Sequence, residues 1–250
     1  YATSAPLKTA LAEGRLQDCG QGLAPNLETL ALLHPTALLL SPFQHAGYGA
    51  LEKLGIPIVE CADYMETTPL GRAEWMRFYG RLYGRGAEAD SLFALEESQY
   101  HALCNPNLQR NDRRSQILTD YAIGDVWYVP GGDSYMARMF EDAGFRYPFA
   151  HIPQTGGVPL SFENVFTDAH DADIWIIRSV TPVTYASLEA SDPRYKRFKA
   201  FRTRQIWLCN TAERPYYDEV PFAPSALLAE LMALRRAASA NSLHYFTPLQ

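Results

Sequence analysis

The segment 25–75 constrains the fold most strongly, because apolar strands, helices and polar loops alternate along it. Apolar runs at 37–40 and 57–61 predict buried strands, and helical patterns at 26–34 and 48–54 precede them. Strands that alternate with helices of this length predict parallel β-α-β units. A loop follows each strand, at the edge of a parallel sheet where α/β proteins bind ligands. The segment therefore predicts an α/β fold with two candidate ligand-binding loops.

The same alternation returns in the second half of the chain. A helix at 68–83 completes the first α/β block, the helix at 87–103 joins the two blocks, and the polar segment 105–114 is the boundary between them. In the second block we predict helices and strands from the same patterns. The helices are at 133–143, 161–170, 192–201 and 223–237, and the strands at 116–121, 173–177 and 205–209.

The composition narrows the class of protein. A hydrophobic content of 47% with 12% aromatic residues is typical of a packed globular chain. The net charge of −6 gives no electrostatic case for a nucleic acid or an anionic membrane surface as partner. No apolar run approaches the ~20 residues that a membrane-spanning helix needs.

The sequence carries no motif for metal binding or covalent catalysis. Its four cysteines contain no CxxC pair, its six histidines form no HxxxH pair, and no GxSxG occurs. We therefore expect no metal, no resident cofactor and no enzymatic activity. Cys61 and Cys209 lie in apolar runs and are predicted to be small buried residues, although the pattern leaves a disulfide open.

Two loops of the first block contain groups that suit a ligand. The first loop offers the side chains of Phe43, Gln44, His45 and Tyr48, a mixture of apolar and polar groups that is common in binding sites. The second loop precedes a helix in which Thr68 is the predicted N-cap, so free backbone N–H groups lie there. The alternative for each loop is an ordinary surface turn with capping residues.

Arg72 is unusual, because it lies in the first turn of that helix, where the helix dipole disfavours a cation. The position indicates either an ion pair with Asp63 or Glu66 or a contact with a ligand carboxylate, and we favour the ion pair.

The second block also places polar and aromatic residues after its strands. Trp127, Tyr128 and Tyr135 surround the glycine pair Gly131–Gly132, and we favour a ligand contact for these rings. Arg178 and Tyr216 follow the strands at 173–177 and 205–209. Each would suit an anionic or aromatic ligand, and for each a packing or ion-pair role is an equal alternative.

Five stretches together resemble one family over nearly the whole chain. They are PNLETLALLHPTALLLSP, LEKLGIPIVECADYMETTPLGRAEWMRFYGRLYG, DVWYVPGGDSYMARMFEDAG, GVPLSFENVFTDAHDADIWII and FKAFRTRQIWLCNT. In this order they resemble the periplasmic substrate-binding proteins of ABC importers for iron-siderophores, haem and cobalamin. The second stretch, which resembles one subgroup closely, is the most specific.

The resemblance implies an α/β fold of two Rossmann-like lobes with parallel sheets, joined by a long helix. The expected parts are an N-terminal lobe at 1–84, a connecting helix at 85–110 and a C-terminal lobe at 111–250. The family begins with a strand–helix–strand unit that has no counterpart in this sequence, so we expect either that the unit was removed or that the first lobe is incomplete. We likewise expect this sequence to contain no signal segment.

The implied function is ligand capture outside the cytoplasm, in the periplasm or on a lipid anchor, by a monomer that delivers its ligand to an ABC permease. The expected cleft residues are Phe43, Gln44, Tyr48, Tyr64, Arg72, Trp127, Tyr128, Tyr135, Arg178 and Tyr216. For haem, the candidate axial ligands are Tyr48, Tyr64, His45 and Met65. Glu52 and Glu189 are weak candidates for permease docking. The alternatives are a stand-alone ligand-sensing surface protein and a metal-dependent enzyme on the same frame.

Overall fold

The computed structural model describes residues 4–21, 24–42, 47–104, 114–236 and 243–250. The chain divides into two compact units, Ala2–Ala62 and Asp63–Gln250. The lobe boundaries expected at residues 84 and 111 stay a prediction. No helix of the described segments combines the length and apolar character needed to cross a bilayer.

The smaller unit is built around a parallel pair of strands. Its elements are α1 (Ala5–Ala12), β1 (Gly20–Gln21), β2 (Ala24–Pro25), α2 (Leu27–Leu33), β3 (Leu38–Leu40), a 3₁₀ helix (Gly49–Leu54) and β4 (Ile58–Glu60). Strands β3 and β4 pair in parallel, and Leu30, Leu38 and Leu51 form the core beneath them. The predicted strands and the helix α2 are confirmed, whereas α1 and the β1–β2 hairpin have no counterpart among the predictions.

Local sequence signals explain where these elements begin and end. The Asn26 side chain accepts a hydrogen bond from the Thr29 N–H and caps α2. The 3₁₀ helix stops at Gly55, whose φ of 67° lies in the left-handed region that glycine adopts without strain.

The larger unit alternates helices and strands along most of its length. Its helices are α3 (Pro69–Leu82), α4 (Gly86–Leu103), α5 (Tyr135–Asp142), α6 (Phe162–Ala169), α7 (Tyr185–Ser191), α8 (Lys199–Arg202), α9 (Tyr216–Glu219) and α10 (Pro224–Arg235). Its strands are β5 (Ile117–Thr119), β6 (Trp127–Pro130), β7 (Gly157–Leu160), β8 (Ile174–Ser179), β9 (Ile206–Asn210) and β10 (Thr247–Pro248), and two 3₁₀ helices lie at Asp63–Met65 and Pro193–Arg197.

A four-stranded sheet in the order β10-β9-β8-β5 lies at the centre of this unit. Strands β5, β8 and β9 are parallel, with Leu118 opposite Trp175 and Ile177 opposite Leu208, and β10 joins the edge in the antiparallel direction. Because the three parallel strands are buried on both faces, they read as continuous apolar runs in the sequence. Their carboxyl ends therefore meet at one edge, as predicted.

Aromatic rings fill the core beside this sheet. The Trp127 ring stacks on Trp175 with centroids 5.6 Å apart, and Phe162, Tyr195 and Phe198 pack around the pair. The Trp127 N–H donates to the Thr119 carbonyl over 2.8 Å, so this polar group is satisfied within the core.

Helix α3 starts as the sequence predicts and packs against α4. The Thr68 side chain caps it by accepting from the Gly71 N–H, and Pro69 occupies the first turn. Helix α4 packs in turn against α10, where both oxygens of the buried Glu96 carboxylate accept hydrogen bonds from the N–H and hydroxyl of Ser225. The long helix predicted at 87–103 is thereby a packed element of the larger unit.

Two predicted elements differ from the structure. The expected loop around Trp127 is instead the strand β6, paired antiparallel with β7. The single helix predicted at 192–201 is a 3₁₀ helix followed by α8, because Phe198 takes an extended conformation that buries its ring completely.

Candidate functional site

The carboxyl edge of the parallel sheet brings together charged and aromatic side chains. Asp120 follows β5, Arg178 is the penultimate residue of β8, and Thr211 follows β9. The Thr211 N–H donates to the Ser179 carbonyl, which holds the ends of the last two strands together. This is the edge at which open α/β sheets bind ligands.

Asp120 has an uncommon backbone conformation that aims its carboxylate at Arg178. Its φ of 55° is left-handed, a region that aspartate enters more readily than most residues. Its N–H donates to the Ile176 carbonyl over 2.7 Å, and its carbonyl accepts from the Trp175 indole over 2.6 Å. The surrounding sheet therefore fixes the strained conformation.

The Asp120 carboxylate holds Arg178 through its backbone and its side chain. It accepts from the Arg178 N–H and Nε at 3.1 Å each, and also from Nη2. The two side chains are only 19% and 16% exposed. Burial by itself would lower the pKa of Arg178, but the charge and hydrogen bonds of Asp120, together with the phenol groups of Tyr216 and Tyr217, raise that pKa well above its ordinary value.

This ion pair does not use all of the N–H groups of the Arg178 guanidinium. Among the residues that the structure describes, Arg178 Nη1 has no hydrogen-bond partner. The Tyr216 ring lies 5.9 Å from the guanidinium carbon, and the neighbouring Tyr217 side chain is 60% exposed. Partial desolvation of the phenol groups raises the pKa of both tyrosines, so both are neutral phenols at ordinary pH.

A second arginine lies in a similar setting at the start of α3. Arg72 Nε donates to the Asp63 carboxylate over 3.0 Å, Nη1 donates to the Tyr135 hydroxyl over 2.5 Å, and the guanidinium carbon lies 4.6 Å from the Tyr135 ring centre. The predicted ion pair of Arg72 is therefore made with Asp63. Glu66, the other partner considered, accepts from the Trp75 indole over 2.8 Å instead.

Tyr135 connects the two arginine clusters. Its N–H donates to the Glu66 carbonyl over 3.0 Å, and the sulfur of the next residue, Met136, lies 3.9 Å from the Tyr216 hydroxyl. We call these side chains the arginine site. It consists of Asp63, Arg72, Asp120, Tyr135, Arg178 and Tyr217.

Two of the expected ligand contacts are core residues. Trp127 is 0% exposed within its aromatic cluster, and Tyr216 is 1% exposed with its hydroxyl 3.9 Å from the Met136 sulfur. The expected ligand contact of Trp127 is corrected to a packing role, because its strand turns that side chain inward and exposes the next one, Tyr128. Tyr216 lies beneath Arg178 and supports it from the core.

The other expected contacts lie in several places. Tyr128 is exposed on β6, and Tyr64 and Met65 are half-buried in the 3₁₀ turn before α3. In the smaller unit, the Tyr48 hydroxyl donates to Glu60 over 3.0 Å. Phe43, Gln44 and His45 lie outside the described residues.

The two weak docking candidates both accept hydrogen bonds within the chain. Glu52 accepts from the Tyr48 N–H over 2.7 Å, and Glu189 accepts from Lys196 over the same distance. Both side chains are exposed. Their role in docking stays a prediction.

Sequence reasoning missed Asp120. The predicted strand at 116–121 included Asp120. A charged residue near the end of a largely apolar run was a signal that the strand stops before it. Within the described segments, no three His, Cys, Asp or Glu side chains are grouped so that they would hold a metal ion. Cys61 and Cys209 are buried as predicted, and each of the four cysteines is a free thiol.

The family model of the periplasmic binding proteins matches residues 3–212. The chain is also 28% identical over 211 residues to an uncharacterized lipoprotein of Methanocaldococcus jannaschii, covering 80% of this chain and 49% of the relative. A second uncharacterized lipoprotein of that organism is 25% identical, with 82% and 54% covered. The chain thus spans about half the length of the curated relatives it matches.

Solved structures share the fold. A structure titled as an ABC-type Fe³⁺-hydroxamate transport system from Saccharomonospora viridis has a TM-score of 0.66 at 22% identity, with 94% of this chain and 81% of that chain covered. A periplasmic haem-binding protein from Pseudomonas aeruginosa has a TM-score of 0.69 at 16% identity, with 97% and 86% covered.

The chain belongs to the periplasmic binding protein family, because the family model spans most of its length. The predicted family and the predicted α/β fold class with parallel sheets are confirmed. Membership also gives the chain the extracytoplasmic location that the sequence predicts.

Proposed function

We propose that this chain is the extracytoplasmic substrate-binding subunit of an ABC importer, and that it captures an iron chelate, haem or cobalamin. The arginine site carries the proposal. Membership of a binding-protein family and the fold shared with Fe³⁺-hydroxamate and haem-binding proteins support it. Capture is non-covalent, so the chain is proposed to bind its ligand and not to transform it.

The arginine site supports a ligand with oxygen acceptors. Arg72 and Arg178 are both largely buried and oriented by an aspartate, and each retains one terminal nitrogen without a partner in the described part of the chain. Guanidinium N–H groups held in this way form directional hydrogen bonds to carboxylate, hydroxamate or phosphate oxygens. Tyr135 and Tyr217 add aromatic surface beside them.

Asp63 and Asp120 fix the orientation of the arginine side chains with which they pair. An arginine side chain that is already immobilised loses little further rotamer freedom when a ligand binds, so more of the interaction contributes to affinity. Each aspartate also balances the charge of its arginine. The site therefore presents fixed N–H donors with little net charge, which suits a bulky chelate whose acceptor oxygens are spread over its surface.

Further ligand contacts are proposed in the smaller unit. Phe43, Gln44, His45 and Tyr48 remain the proposed contacts there, with Tyr64 and Met65 in the turn that precedes α3. The proposed partner is an ABC permease, with Glu52 and Glu189 as docking candidates. A lipid anchor is proposed from the two lipoprotein relatives.

Intrinsic tryptophan fluorescence will test this function, with separate titrations of a ferric hydroxamate siderophore, hemin and cyanocobalamin. We expect one of them to give a saturable 1:1 response with a dissociation constant between about 1 nM and about 1 μM, which corresponds to roughly −12 to −8 kcal/mol. Arg178→Lys keeps the charge beside Asp120 and removes the available Nη1, so it is expected to weaken binding by roughly tenfold to a hundredfold.

The matched control is Arg146→Lys. Arg146 is exposed and lies beside the amino end of β5, at the opposite edge of the sheet, so its replacement should leave the affinity unchanged. If Arg178→Lys left a saturable response intact, the arginine site would not be the ligand-binding site. No response to any of the three compounds would overturn the proposed substrate class.

A further inference from the structure

The charge of this chain is unevenly distributed. Its net charge is −6, yet the segment 193–212 contains six arginines and lysines and no acidic residue. This segment comprises a 3₁₀ helix, α8 and β9. The net charge of the whole chain argues against an anionic partner, but this segment is locally basic.

Part of this region is neutralised within the chain. Arg194 pairs with Asp192 and Glu163, Lys196 pairs with Glu189, and Lys199 Nζ lies 2.6 Å from Asp173. The remaining three, Arg197, Arg202 and Arg204, form no ion pair with any carboxylate of the described residues. All three are exposed. We call these three side chains the basic surface.

Aromatic rings and backbone contacts hold the basic surface in place. The Arg197 guanidinium lies 4.5 Å from the centre of the Phe166 ring, and that of Arg204 lies 4.2 Å from the Tyr185 ring. Arg202 Nη1 donates to the Arg197 carbonyl, so these two residues are neighbours. A guanidinium stacked by one face on a ring still presents its N–H edge to an outside acceptor.

The basic surface lies at the opposite edge of the sheet from the arginine site. Helix α8 precedes β9 directly, and the Gln205 N–H donates to the Ala200 carbonyl over 2.8 Å, which fixes α8 at the amino end of that strand. The pair between Lys199 and Asp173 fixes it at the amino end of β8. A partner at this surface therefore does not occupy the proposed ligand site.

We propose that the basic surface binds the anionic headgroups of a membrane. Three exposed guanidinium groups that lie within eight residues of the chain and form no ion pair in its described part are complementary to a layer of phosphate groups, with which arginine forms paired hydrogen bonds. The proposal uses the extracytoplasmic location and does not depend on which ligand the chain carries.

Co-sedimentation of the chain with vesicles will test this proposal. We expect binding to vesicles of phosphatidylglycerol and phosphatidylcholine at low ionic strength, release at about 0.5 M salt, and no binding to phosphatidylcholine alone. The triple variant Arg197→Gln/Arg202→Gln/Arg204→Gln should reduce the partition coefficient roughly a hundredfold, since each basic group contributes about fivefold. The corresponding triple lysine variant keeps the charges and should bind.

A charge-matched control separates a local surface from net charge. Lys8→Gln/Arg15→Gln/Lys53→Gln removes the same number of positive charges from exposed positions of the smaller unit and should bind as the wild type does. An equal loss of vesicle binding in the two glutamine variants would overturn the proposal. A wild-type chain that does not bind anionic vesicles would also overturn it. In the latter case, retention on an immobilised acidic protein would identify a protein partner instead. Ligand titrations of the glutamine variants should be unchanged.

Discussion

The ion pair between Asp120 and Arg178 makes a quantitative prediction about stability. Asp120→Asn retains a side chain that tolerates the left-handed backbone and keeps one oxygen acceptor, so it isolates the loss of charge. Both side chains of the pair are less than one-fifth exposed. The variant therefore leaves a largely desolvated guanidinium without its counter-ion.

The expected cost follows from this geometry. Removing one partner of a buried ion pair destabilises by about 3–5 kcal/mol, and the retained amide oxygen reduces this loss by about 1 kcal/mol. We therefore expect Asp120→Asn to lower the free energy of unfolding by roughly 2–4 kcal/mol. Arg178→Met in the same chain removes the stranded charge, so the double variant should be more stable than Asp120→Asn alone.

Urea unfolding followed by tryptophan fluorescence measures these differences. The four chains of the cycle (wild type, the two single variants and the double variant) give the coupling energy between Asp120 and Arg178, which we expect to exceed about 1 kcal/mol. Additive single effects, or an Asp120→Asn chain within about 0.5 kcal/mol of wild type, would refute the reasoning that this pair is buried and coupled.

Three further predictions concern packing and titration. Trp127→Ala should cost about 3–5 kcal/mol in urea unfolding, whereas the exposed neighbour Tyr128→Ala should cost less than about 1 kcal/mol; equal costs would contradict the assigned strand register. Burial raises the pKa of the Cys209 thiol to about 12, so Ellman's reagent at pH 8 should reach this thiol only after unfolding, and rapid modification of the native chain would exclude the buried position. Burial also raises the pKa of Glu230 despite its hydrogen bond from the Tyr245 N–H, so its folded state favours the protonated acid. Its contribution to stability is full below its ordinary pKa and is lost as the pH rises through the folded pKa. Glu230→Gln should therefore flatten the fall in stability as the pH rises above the ordinary pKa of a glutamate, and an unchanged slope would contradict this.

Much of the fold could be predicted because local signals and the tertiary structure agree. Helix α3 begins where Thr68 and Pro69 predict, and α2 begins directly after Asn26, the first residue of the predicted helix. The strands of the central sheet are buried on both faces, so their apolar runs stand out in the sequence.

The differences arise where tertiary packing overrides local pattern. Tryptophan, tyrosine and valine at 127–129 alternate between buried and exposed, which is the period of a strand, but the polar and glycine residues around them favoured a loop. The helix predicted at 192–201 is interrupted at Phe198, because the backbone is extended there and places the Phe198 ring in the core. No helical periodicity encodes that interruption.

The candidate site was only partly predictable for a similar reason. The sequence identified Arg72, Tyr135 and Arg178 as polar or aromatic groups at strand and helix ends, but a single sequence does not reveal that Arg72 and Tyr135 touch across more than sixty positions. Asp120 was hidden within a predicted strand. Its importance comes from a left-handed backbone, which only the structure displays.

Native mass spectrometry is the most direct test of whether the chain binds one of the three ligands through the arginine site. The chain is mixed with equimolar ferric siderophore, hemin and cyanocobalamin and is sprayed from a volatile buffer. We expect a 1:1 adduct with one of the three compounds, and we expect Arg178→Lys to weaken this adduct and Arg146→Lys to leave it intact. A spectrum that contains only the bare chain, or adducts of equal abundance in both variants, would contradict this expectation.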